Sequence, residues 1–269
     1  MPTRNMERKI LFHPKFAAGV DLFFSLSMLL ILSQATVWWF LVLWILVRVG
    51  FWAALIFFTY HPHSTSRRRH LTELLFLLFG SLFLLLFIDW RLSWWIVLVF
   101  SAVLSAGSFW LIPEKESEMM FINLKFYRRW RFLSGVFSLF GMFCAVSAVP
   151  AFRIFSWLGL WPCLVFGALC ASGNAFWWWR EYEIPVDKKL WRATALAALF
   201  FFELLWVGAL WPLGFLPFGL LMCWAWYVLW LLARFHLSPE GIKWNKQKLF
   251  LLANATLFVL FLIFVASWR

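Results

Sequence analysis

Long apolar runs alternate with short polar connections along the whole chain. Nine runs have the length of a bilayer-crossing helix: Phe16–Ser33, Ala35–Thr59, Leu71–Ile88, Ser93–Ile112, Phe132–Val149, Trp157–Trp179, Ala193–Trp211, Leu213–Phe235 and Leu249–Ser267. A hydrocarbon core about 30 Å thick needs about 20 apolar residues in a helix, so the pattern predicts an all-α, polytopic transmembrane bundle of about nine spans. The first run is short, carries Asp21 and leaves only Gln34 as a turn before the next. "WPLGFLPFG" separates the seventh and eighth runs, because its prolines and glycines break a continuous helix.

The connections fall into two classes. Gln34, "DWRL", "PAFRIFS" and "WPLGFLP" are short and nearly uncharged. "HPHSTSRRRH", "PEKESEMMFINLKFYRRWR", "REYEIPVDKKLWR" and "HLSPEGIKWNKQK" are longer and basic, and the first 15 residues belong with them. Twenty of the 24 lysines and arginines lie on this basic side, three on the other, and Arg48 lies within a run. Such asymmetry predicts cytoplasmic basic loops and a cytoplasmic N-terminus in a cell (plasma or inner) membrane, with the C-terminus outside. The basic loops offer Arg67, Arg68, Arg69, Arg128, Arg129, Arg131, Lys188, Lys189 and Arg192 to anionic lipid headgroups.

Composition agrees with a membrane class. Hydrophobic residues make up 64% of the chain and charged residues 13%, against roughly a quarter charged in soluble domains. The net charge of +12 would suggest nucleic acid in a soluble protein, but here it marks topology. The N-terminal stretch lacks the small-residue cleavage site of a signal peptide. A proline followed by a basic cluster recurs about every 60 residues, at "TYHP", "LIPE", "EIPV" and "LSPE". It describes a loose repeat of helical hairpins within one membrane domain spanning residues 1–269. Most of the 22 tryptophans, among them Trp90, Trp161, Trp178, Trp179 and Trp230, fall near run ends, as expected of two interfacial aromatic belts.

Candidate chemistry is sparse. His61 and His63 form an HxH pair but lack further ligands at metal-site spacing, and no cofactor is implied. Cys144, Cys163, Cys170 and Cys223 lie singly in apolar runs and read as buried thiols. No Walker loop, GxGxxG, HExxH or DxxxD pattern occurs. "CASG", Cys170–Gly173, is similar to the GxSG stretch of rhomboid intramembrane proteases over four residues, with cysteine at the first glycine. That resemblance implies Ser172 as nucleophile. His236, the histidine that would serve it, falls on the order of 10 Å away along the helix axis. Gly167, Ala171 and Ala175, spaced by four, instead predict close helix packing.

Ionisable groups within the runs carry more information, because each is costly in hydrocarbon unless paired. Arg48 and Glu203 both fall near mid-run and are predicted to form a buried charge pair joining the second and seventh spans. Asp21 and Asn174 fall in the inner third of theirs. The sequence therefore points to a non-enzymatic structural or accessory membrane protein that contacts anionic lipid and protein partners or further copies of itself, not nucleic acid. The alternative is a small-solute or ion transporter using Arg48, Glu203 and Asp21; a lipid-modifying enzyme or intramembrane protease ranks third. Reporter fusions after Lys115, Lys188 and Lys246 are expected to read cytoplasm, and a fusion at Arg269 outside. A cytoplasmic C-terminus removes one span, Phe16–Ser33 first.

Overall fold

A computed structural model describes residues 13–33, 38–59, 66–88, 90–112, 120–152, 159–211, 213–237 and 244–264. Among the described residues the structure is all helical, with no strand. The nine helices are α1 (Pro14–Ser33), α2 (Trp38–Thr59), α3 (Ser66–Phe87), α4 (Arg91–Trp110), α5 (Met120–Ala151), α6 (Leu160–Glu181), α7 (Lys188–Ala209), α8 (Phe215–Leu237) and α9 (Trp244–Phe264). Seven of them, α2 to α8, are long and apolar enough to cross a membrane. The protein is thus a multi-pass helical membrane protein. The number seven holds for the described residues, which cover the side chains of α1 and α9 only in part.

The helix ends follow local chemistry. Asp187 caps α7, its carboxylate accepting the Leu190 N–H at 2.8 Å, which satisfies one of the donors a helix start leaves open. α6 ends with Glu183 at a φ of 63° and the Ile184 N–H bonded back to the Trp179 carbonyl at 3.2 Å. This is the left-handed helix stop that glycine usually provides. α5 is longer than expected. "MFINLKFYRRW", which the sequence allows to lie along the interface, continues without a break into the membrane helix.

The chain divides into two units. The first comprises residues 1–81 and 88–135; the second comprises 82–87 and 136–269. In the first, α1 packs against α4 and α2. Ala17 and Ala18 of α1 and Ala102 and Ala106 of α4 are buried, and such small residues let backbones approach closely. α5 joins through Trp130, whose indole lies over Gly107 and donates to the Leu104 carbonyl at 3.1 Å.

In the second unit α6 packs along α7, and α7 and α6 both meet α8. Gly167, Ala168, Ala171 and Ala175 form the buried face of α6. A Cβ on Gly167 would come within 2.7 Å of Leu205 and 2.9 Å of Val146. Tryptophan fills the wider spaces. Trp178, Trp179, Trp226 and Trp230 are all buried, with Trp226 stacked on Trp230 at 6.0 Å. Trp226 donates its indole N–H to the Ala171 carbonyl (2.9 Å) and Trp179 to that of Trp230 (3.2 Å). These side chains are core, where the sequence pattern placed Trp178, Trp179 and Trp230 in an interfacial belt. The indole N–H groups of Trp179 and Trp226 are met by backbone carbonyls of a neighbouring helix instead of headgroup water.

Gly219 of α8 is the tightest test of this packing. A Cβ there would collide with the Cys144 sulfur and approach the Cys144 backbone nitrogen to 3.2 Å. Gly219→Leu should destabilise the second unit by about 1–3 kcal/mol, read as a lower unfolding temperature in detergent. Gly173→Leu, at a glycine with open space around it, should change little.

Candidate functional site

The most concentrated chemistry lies in the first unit, where α1, α2 and α4 meet. Asp21, fully buried, is the centre. Arg48 Nη2 of α2 lies 3.2 Å from Asp21 Oδ1. Trp52, one turn further along α2, donates its indole N–H to the same oxygen at 2.7 Å. Ser105 of α4 lies 2.7 Å from Asp21 Oδ2 and donates to it. Ser25, one turn after Asp21, donates to the Asp21 carbonyl at 2.7 Å and accepts from Arg48 Nη2. The guanidinium also sits 4.3 Å from the Trp52 ring and 5.6 Å from that of Phe24, adding cation–π attraction on its faces.

Helix geometry places this cluster by depth. Asp21 is seven residues past the start of α1 and Trp52 seven before the end of α2, about 10 Å from either end at 1.5 Å per residue. Arg48 starts a turn deeper and its side chain reaches the carboxylate. Both charges are nearly sealed, with 4% of Arg48 exposed. Arg48 Nη1 is buried with no hydrogen-bond partner among the described residues.

A second polar step leads from this cluster toward the α3 start. The Ser108 hydroxyl donates to the Ser105 carbonyl at 2.6 Å. His70 Nε2 lies 2.7 Å from the same hydroxyl. Which of the two donates depends on the imidazole tautomer. The ring leans on Phe109 at 4.5 Å. Arg131 of α5 clasps Glu73 of α3 through two nitrogens, its Nε at 2.6 Å from Oε2, with the Tyr127 ring 5.0 Å away.

These positions correct two expectations. The deep partner of Arg48 is Asp21, where the sequence suggested Glu203. Glu203 is exposed on α7 in the second unit, so it is no member of a buried pair. Arg131 is a buried ion-pair member, where it was expected to face lipid headgroups. Arg68, Arg69, Lys188, Lys189 and Arg192 are exposed near helix starts, Arg129 is exposed nine residues past the start of α5, and Arg128 is half-buried. Arg67, His61 and His63 fall outside the residues whose side chains are described. Among the described residues no three His, Cys, Asp or Glu side chains gather as for a metal.

Asn174 is buried in α6. Ser172 donates to the Leu169 carbonyl at 3.3 Å. Trp226 marks the level of Ala171 on α8, and His236 lies ten residues further on, about 15 Å along the axis. A Ser172–His236 dyad is therefore out of reach. In the same unit a cavity of about 520 Å³ opens between α7, α8 and α9. Its lining is apolar except for Trp224 and Asn254, whose side chains bond each other at 2.7 Å.

Sequence reasoning missed Ser25, Trp52, Ser105, His70 and Ser108. The available signal was spacing. Asp21/Ser25 and Arg48/Trp52 are i, i+4 pairs, and Ser101, Ser105 and Ser108 share one stripe of α4. No protein-family model, curated protein or solved structure matches the chain.

The cluster behaves as a charge-paired clamp. Asp21→Leu and Arg48→Met should each destabilise the first unit by about 3–5 kcal/mol, since each strands the opposite charge. The double variant should recover most of that loss, as measured by a double-mutant cycle of unfolding in detergent. Additive losses would refute the coupling.

Proposed function

We propose that this protein is a non-enzymatic, structural or accessory component of a cell membrane, with its N-terminus and basic loops cytoplasmic. The supporting observation is that the buried charges of the first unit close on one another. Asp21 meets Arg48, and Glu73 meets Arg131. Hydroxyl and indole donors complete the Asp21 carboxylate. Carboxylates and guanidinium groups arranged this way neutralise one another and hold helices together. The apolar character of the cavity among α7, α8 and α9 points the same way. In this reading the exposed cations Arg68, Arg69, Arg129, Lys188, Lys189 and Arg192 contact anionic headgroups, and partners are other membrane proteins.

One observation favours a second reading, proton or small-ion transport through the first unit. Arg48 Nη1 is buried without a protein partner among the described residues. The step Ser105–Ser108–His70 also extends the polar cluster toward a helix end. Transport in this form would use Arg48 and Asp21 without Glu203.

Reconstitution into liposomes separates the two. With a pH-sensitive dye and ion-selective dyes inside, the protein should leave proton, sodium, potassium and chloride leak at the level of empty vesicles. A flux that Asp21→Asn abolishes while folding is retained would replace the structural reading by the transport one.

A further inference from the structure

Glu203 sits where a carboxylate is least welcome. It follows Arg192 by eleven residues and precedes Trp211 by eight, about 16 Å and 12 Å along the helix. Those distances add to nearly the thickness of a hydrocarbon core, so Glu203 lies near its middle. Its side chain is exposed, whereas ionisable groups at that depth almost always face other protein.

The residues around it are ordered. Leu196, Glu203 and Leu210 recur every seven positions, and Leu199 and Trp206 fall between them at the complementary spacing. Phe200 and Val207 flank that stripe, and all six apolar members are exposed, Leu196 at 67% and Leu210 at 72%. The opposite face of α7 is already used: Ala197, Phe201, Leu205 and Gly208 are buried. Positions repeating as a and d over two heptads make a seam for one further helix, packed side chain into hole. Glu203 holds the central a position, where a polar residue fixes register and partner choice at a cost in stability.

The structure thus assigns the Glu203 face of α7 as a docking seam for a transmembrane helix of another membrane protein, one carrying a basic side chain at mid-span. A second copy of this chain fits less well. Its described mid-membrane cation, Arg48, is buried and bound to Asp21, and Arg131 is buried against Glu73. Two α7 seams face to face would oppose two carboxylates. A basic partner instead neutralises Glu203 where the low dielectric makes the attraction strong. This rests on the accessory reading above and gives it a surface and a partner chemistry.

The test uses the full-length protein in phosphatidylcholine vesicles with two synthetic probe helices. One is a polyleucine span with a single central arginine, the other the same span without it; both carry a photoreactive leucine one turn from the centre. Crosslinks are mapped by mass spectrometry. The arginine helix should label the Leu199–Trp206 segment on the order of tenfold more than the plain helix, a difference of about 1.4 kcal/mol. Glu203→Leu should remove that preference, and Glu203→Gln should retain part of it through hydrogen bonding. Asp21→Leu, in the other unit, should leave the preference unchanged. Equal labelling by both helices overturns the proposal, as does labelling by the arginine helix that falls mainly on helices other than α7. Ion leak measured on the same vesicles reports on the accessory reading separately, since a leak with intact labelling rejects that reading alone.

Discussion

A charge inside hydrocarbon has to find its partner within protein, because no water is there to receive it. The first unit is organised around that requirement. Asp21 cannot rest in α1 by itself, and Arg48 cannot rest in α2. Their pairing fixes the rotation of both helices about their axes and the level at which they meet. Ser105 then draws in α4, and Trp52 gives the carboxylate a third side-chain donor. Within Phe16–Ser33, Asp21 is the one charged residue. The clamp neutralises that one costly residue with its neighbour and ties α1 into the first unit.

The second unit meets the same requirement with different side chains. Its interior uses indoles, which bring a large apolar area and a single N–H. Trp179 and Trp226 each spend that N–H on a backbone carbonyl of a facing helix. A helical carbonyl has a second lone pair to offer, so the bond costs no intrahelical hydrogen bond. Small residues on α6 and large aromatic residues on α8 are complementary, and this is why a chain with 22 tryptophans does not have to place them at the membrane surface.

Helix existence and approximate bounds were legible in the sequence because membrane spans are long and the hydropathy signal accumulates over about 20 residues. α2, α4 and α8 begin and end within a few residues of the apolar runs. The charge pairing was legible only in part. Depth along each run made Arg48 and Glu203 look matched, since both sit near the middle. What depth does not give is rotation about the helix axis. Glu203 faces outward on α7, and Asp21, one third of the way along its helix, faces inward. The short connection between the first two runs was the better guide, since consecutive helices are usually neighbours. The tryptophan belt failed at Trp178, Trp179 and Trp230 for the same reason: position along the axis cannot tell a ring that faces lipid from one that faces the next helix.

The turn between α6 and α7 has a consequence for how the protein reaches the membrane. Only Tyr182 to Asp187 separate the two helices, held by the left-handed stop at Glu183 and the cap at Asp187. α7 carries Glu203 at mid-span, and an acidic residue at a helix centre weakens insertion of that segment by a few kcal/mol. α6 carries no carboxylate within its span before Glu181. A turn this tight lets the two enter lipid as one hairpin, so the cost of Glu203 is shared with a neighbour that carries no carboxylate in its span. Lengthening that turn would separate the two insertions and leave α7 to bear the cost of Glu203 by itself.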